Sequence, residues 1–308
     1  MTSFVIRPLG AFSLAASIRF AAGWPPADFE GGDVLRLGFA VDDFSAHAGV
    51  ALRQDGAGDV VGDVVGSHDM VAVERQVARI LGLDAEGRAY LEIGNRDEVV
   101  GRLQERYQGL RPVCFHSPYE AAVWSVLSNR IATPVARRLR TTLCEAAGTT
   151  LEVDGASAPA LPLPTKLLAL EELAGLPAEK MRRLHGVAEA ALAGDLDAER
   201  LRSLPPEVAL ASLKRIRGIG DFYAGLILIR GAAMRDYVLP EPRLKAPSRC
   251  TTGQASRSSK PPRDGGRSAR GWPSCCEAPL NEHDPKTGRA APGIPSPSAV
   301  FDNPVPAR

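Results

Sequence analysis

The sequence predicts an α+β fold in three stretches: a β-rich N-terminal domain with a helix packed on it (1–95), an all-α domain (96–245) and a disordered tail (246–308). Three observations carry this reading. Short apolar, β-branched runs crowd the first 66 residues. From about residue 97, apolar side chains recur at helical spacing instead. After residue 245 neither period survives, and Pro, Gly and Ser supply 25 of 63 residues, a composition that cannot bury a core.

The elements follow in order. "DVLRLGFAV" (33–41), "AGVALRQDG" (48–56) and "DVVGDVVG" (59–66) read as strands, the second closing on an Asp55–Gly56 turn signal. "MVAVERQVARILGL" (70–83) places Met70, Val73, Val77, Ile80 and Leu81 on one helical face. A helix over 96–107 ends at "GLRP". The next, 117–131, opens with Ser117, Pro118 and Glu120, a capping signature, and Thr133–Pro134 repeats that signal for 133–148. Helices over 164–173, 177–194 and 205–216 complete the helical stretch.

Charge is distributed unevenly behind a net of +1. Residues 1–100 carry 15 acids against 8 Lys and Arg, residues 101–245 carry 20 basic against 16 acidic, and the tail 9 against 5. A polyanionic partner would meet the second half. The five cysteines have neither disulfide-framework nor zinc spacing. The apolar cast of 12–24 is interrupted by Ser17 and Arg19, so neither a signal peptide nor a membrane span is expected, and the expected setting is cytoplasmic.

The most informative stretch is "LKRIRGIGDFYAGLILIRG" (213–231). Gly218 and Gly220 bracket Ile219 in a tight turn, which lets backbone approach a ligand closely. A helix starting near Asp221 points its free N–H groups out of that turn toward an anion. Lys214, Arg215 and Arg217 on the rim add attraction for phosphate. A turn that merely packs two helices is the alternative.

With its neighbours "SPYEAAVWSVLSNRIATPVARRL" and "GLPAEKMRRLHGVAEAALAGDL", this stretch resembles the helix-hairpin-helix DNA glycosylase superfamily, most closely its DNA-3-methyladenine glycosylase II type. The resemblance covers about 1–245. It implies a monofunctional enzyme that flips an alkylated purine out of double-stranded DNA and hydrolyses its N-glycosidic bond. It implies DNA contacts from Lys214, Arg215, Arg217, Gly218 and Gly220, and places Arg130 where the family carries its minor-groove wedge, although a solvated helix end is the ordinary reading of that arginine. Bifunctional relatives carry a Schiff-base lysine two residues after the second hairpin glycine; here Phe222 stands there. Phe222 and Trp124 are candidates for the base pocket, each also readable as core. No metal takes part in the implied chemistry, with room for a monovalent cation at the hairpin carbonyls, and the implied state is a nucleoid-associated monomer.

Two departures stand out. Aligned without gaps, the family's catalytic aspartate falls on Pro242, leaving Glu241 as the neighbouring carboxylate; Asp236 matches a non-catalytic position. Beyond about Leu244 the chain no longer resembles the family, as in a translated alternative frame or a natural tail. A non-catalytic DNA-binding paralogue and a protein-interaction module remain open beside the enzyme.

Overall fold

The computed structural model describes residues 2–21, 33–67 and 69–238; Glu241, Pro242 and the tail lie outside this range. Strands β1 (Thr2–Ile6), β2 (Leu35–Ala40), β3 (His47–Gln54) and β4 (Val60–Val65) form one antiparallel sheet in the order β1-β4-β3-β2. Alternation decides its two faces. Leu35, Leu37 and Phe39 of β2, with Ala48, Val50 and Leu52 of β3, turn inward against helices α1 (Leu14–Ala21) and α2 (Met70–Ile80). On α2, Val73, Val77 and Ile80 are buried, the face expected from their spacing, and Asp69 caps the helix.

The opposite face carries a correction. Residues expected to be all-helical contain a β-hairpin, β5 (Thr149–Val153) and β6 (Ala156–Ala160), joined by Asp154 and Gly155 at φ 51° and 73°. Asp-Gly between short apolar strands is a strong signal for a two-residue turn with both central φ positive, and it is present in the sequence. The hairpin lies on the first sheet because Gly38 and Gly49, paired across β2 and β3, leave a flat patch. A Cβ at Gly38 would stand 2.6 Å from the Ala158 carbonyl oxygen, and one at Gly49 would stand 2.5 Å from Val153.

Helices α3 (Arg88–Gly94) and α4 (Glu98–Arg106) are exposed along their length. The main helical core forms around α5 (Pro118–Ser128), which is buried on all sides from Pro118 to Leu127. A helix apolar all round must be enclosed, and α6 (Thr133–Ala147), α7 (Pro164–Leu168), α8 (Ala178–Leu192), α9 (Ala198–Ser203), α10 (Pro206–Leu213) and α11 (Asp221–Leu226) contribute to that enclosure. A π-helical turn, Ile227–Gly231, continues α11. Helix α9 was not expected from the sequence. Thr133 proves to be the first helical residue of α6, with Ala132 in the cap position.

A buried polar seam joins sheet and helices. Ser117 caps α5 as expected, its hydroxyl accepting from the Glu120 N–H at 3.1 Å. Glu120 itself is enclosed. One carboxylate oxygen accepts from Arg140 at 2.7 Å; the other accepts from the His116 N–H at 3.1 Å and lies 2.8 Å from His116 Nδ1, a close contact rather than an aligned hydrogen bond. Gln76 and Arg79 of α2 both donate to the His116 carbonyl, and Arg79 also grips Asp42 through both its terminal nitrogens. Asp84, just after α2, receives Arg202 of α9 and Arg235.

Burial alone would raise the Glu120 carboxyl, but the His116 ring and the Arg140 guanidinium reverse this and hold it at about 2, below its ordinary 4.5. A depressed folded pKa stabilises above the unfolded value and loses that contribution as pH falls toward the folded one. Glu120→Gln should therefore cost about 3–5 kcal/mol at pH 7, since it removes one partner of a buried ion pair. In urea titrations the gap between wild type and variant should narrow between pH 4.5 and 2. A pH-independent gap would contradict an ionised Glu120.

Candidate nucleic-acid interface

Helix α10 ends at Leu213, and its cap residue Lys214 opens the turn that leads to α11. Ile216 and Ile219 are buried and pin the turn to the core, while Lys214, Arg215, Arg217 and Gly220 face solvent. Ile219 N–H donates to the Ile216 carbonyl at 3.0 Å, which tightens the loop. Ala224–Leu228, running from α11 into the π-helical turn, is buried, so the turn stands on a rigid base.

The two glycines differ in conformation. Gly218 sits at φ 95°, where a side chain is strained. Gly220 has an ordinary extended backbone at φ −92°, and a Cβ there would meet nothing within 4 Å. The fold requires the first glycine and not the second.

Charge around the turn is mostly basic. Lys214 Nζ lies 2.9 Å from Asp221, linking the two ends of the turn, and Arg217 lies 3.2 Å from Glu179 in the first turn of α8. Glu179 also accepts from Arg182 and Arg183; the hydrogen bond from Arg182 leads the causes that hold its carboxyl below the usual range. Arg182 and Arg183 join the basic cluster around Glu179 beside the turn, and the sequence reading did not select them. The signal was the basic run in 177–194, which becomes informative only once α8 is seen beside the hairpin. Arg183 Cδ would stand 2.8 Å from a Cβ on Gly218.

Arg130 follows α5 in an exposed turn and takes φ 59°, uncommon for a side-chain-bearing residue. Helix α5 ends close to α11: Ser128 Oγ donates to the Trp124 carbonyl at 2.8 Å and lies 3.4 Å from Tyr223 Oη. Tyr223 stacks edge-on against Phe222, with ring centroids 5.4 Å apart. Phe222 is 40% exposed, whereas Trp124 is 7% exposed within the helical core. The structure thus brings the end of α5, which Arg130 follows, close to the start of α11, where Phe222 is exposed beside Tyr223, while Trp124 is part of the helical core. Glu241 lies outside the described residues. Among the described residues no three metal-ligating side chains cluster, and no helix is long and apolar enough to cross a membrane.

No protein-family model matches the chain. Over 152 residues it is 27% identical to the DNA-3-methyladenine glycosylase of Bacillus subtilis (strain 168), which covers 48% of this chain and 50% of that protein. The chain thus spans about half the length of the curated relative it matches. The 3-methyladenine DNA-glycosylase from Archaeoglobus fulgidus superposes with a TM-score of 0.59 at 21% identity, over 76% of this chain and 80% of that one. The chain shares the fold of this glycosylase. The 8-oxoguanine glycosylase/lyase of Clostridium acetobutylicum, solved with double-stranded DNA containing cytosine opposite 8-oxoG, superposes at 0.51 with 16% identity, over 75% and 77% of the two chains. Within this fold, the α10–α11 turn carries two glycines that answer to different demands.

That difference is testable in the folded protein. Gly218→Ala should destabilise by about 1–2 kcal/mol, the cost of a left-handed non-glycine residue. Gly220→Ala should be neutral within about 0.5 kcal/mol or slightly stabilising. Urea midpoints of the two variants give the comparison, and equal losses would refute the assignment.

Proposed function

We propose that the protein is a monofunctional DNA glycosylase of base-excision repair, acting on alkylated purines such as 3-methyladenine in double-stranded DNA. The observation that carries the reading is Gly220: a glycine the fold does not need, open to solvent, at the start of α11 and beside Lys214, Arg215 and Arg217. Such a position suits a DNA phosphate resting on backbone N–H groups, where any side chain would hold it away.

The chemistry follows from the parts. The hairpin and the basic residues of α8 hold the backbone, and Arg130 fills the gap left by the flipped nucleotide. Phe222 offers a π face on which a cationic alkylated base gains energy that a neutral base does not. The C1′–N bond then breaks toward an oxocarbenium ion. A carboxylate, which the family resemblance puts at Glu241, stabilises that charge. Water adds its oxygen to C1′, and its proton leaves to the surroundings or to the departing base. With Phe222 where lyases carry lysine, no Schiff base forms and the strand stays intact. No metal enters the bond-breaking step; a monovalent cation at the hairpin carbonyls belongs to the same reading, as does a nucleoid-associated cytoplasmic monomer.

A second reading, a non-catalytic DNA-binding paralogue, draws support from Pro242 in the family's aspartate position. The two separate by experiment. The enzyme should release 3-methyladenine from alkylated duplex and yield no adduct on borohydride treatment with abasic DNA. Glu241→Gln should lower release by about 100-fold or more. Gly220→Ala should weaken binding to all sequences alike, and Lys214→Glu should reduce the salt slope by about one unit. Salt-dependent binding without base release identifies the paralogue; unchanged affinity in Gly220→Ala rules out the phosphate site at the turn.

A further inference from the structure

The turn after α5 is held by a residue to which the sequence and the comparisons give no role. Helix α5 ends with carbonyls that have no donor within the helix. Lys180, in the first turn of α8, donates to two carbonyls of this end, Leu127 at 2.8 Å and Asn129 at 2.9 Å. Its ammonium is half-buried, and desolvation leads the causes that lower its pKa. Carbonyl oxygens are a poor exchange for water around a full charge, and helix ends are commonly closed more simply by glycine. The strained turn that follows, with Arg130 at φ 59°, is what these two bonds hold in shape.

The neighbouring residue faces the other DNA element. Glu179 lies 3.2 Å from Arg217 of the hairpin. That pair is exposed and contributes little to stability by itself, but it puts hairpin and turn on the same few residues of α8. Ser128 and Tyr223 make a second, looser link between α5 and α11.

We infer that Lys180 is a positioning residue: from α8 it fixes the end of α5 so that Arg130 enters the duplex in register with the phosphate-binding hairpin. The inference deepens the glycosylase reading and rests on it. Lys180 touches no DNA. Its loss leaves the hairpin intact and lets the wedge wander, so capture of a flipped or missing base suffers while general affinity stays.

The test uses two duplexes of one sequence, intact and with a single tetrahydrofuran abasic-site analogue. Wild type should prefer the second by about tenfold or more, because the unstacking cost is already met there. Lys180→Met should bind intact duplex within about threefold of wild type with an unchanged salt slope. It should lose most of the preference, and single-turnover base release should fall by about 10–100-fold, the scale of a small misplacement. Lys180→Arg, which keeps charged donors, should recover most of both. If Lys180→Met does not fold by circular dichroism, Lys180→Gln takes its place. Wild-type preference and release in the Met or Gln variant would overturn the brace and leave the glycosylase reading standing. Absence of salt-dependent duplex binding by wild type would remove that reading and the inference with it.

Discussion

The carboxylate of Glu120 is the constraint on which the rest of the structure depends. Helix α5 is enclosed on every side and must settle all its polar ends inside the protein. Glu120 does this at the N-terminal end, within reach of Ser117, His116 and Arg140. Through His116 the same junction reaches Gln76 and Arg79 on α2, so the sheet-bearing part and the helical part share one buried seam. An ionised group in such a place is stable only when all its partners are present. The seam therefore ties the sheet to the bundle through one connected set of buried polar partners. The opposite end of α5 then becomes a fixed platform, and the turn carrying Arg130 stands on it.

Much of the fold was legible because single periods dominate. The three strands of 33–66 stand out as short apolar, β-branched runs, and α2 repeats its apolar face at helical spacing, so burial followed the expected face at Val73, Val77 and Ile80. The β5–β6 hairpin departs from the expected all-helical stretch although Asp154–Gly155 signals its turn, because strands of five residues each are too short for a period of two to stand out between helices. Helix α9 is only six residues long, too short for a period to show.

The candidate site was half legible. Local chemistry announces the hairpin: two glycines and three basic residues stand together in the chain. What brings Arg182, Arg183 and Lys180 to it is tertiary, because α8 is some thirty residues away in sequence. The role of Glu120 was hidden for the same reason. A Glu three residues after a capping Ser predicts a local return bond to the cap, whereas here the carboxylate accepts from His116 and from Arg140 on the next helix. Local motifs thus located the chain reversals, and packing decided which side chains serve them.

Two features near the start of α11 run against what folding alone would select. Gly220 has an ordinary backbone and open space in front of it, so an alanine would be accommodated and would restrict the unfolded chain. Two residues on, Phe222 leaves 40% of its surface in water, while the residues behind it, Ala224 to Leu228, are buried. A scattered exposed aromatic needs no explanation, but this one adjoins the one hairpin glycine that sterics do not require and lies on the same short helix start. Exposed arginines and a lysine flank the pair, two of them also paired with Asp221 and Glu179. A ligand with both phosphate and planar apolar groups satisfies all three at once: backbone approach at Gly220, ring contact at Phe222 and counter-charge at the rim. Duplex DNA with one base turned out of the stack presents that combination.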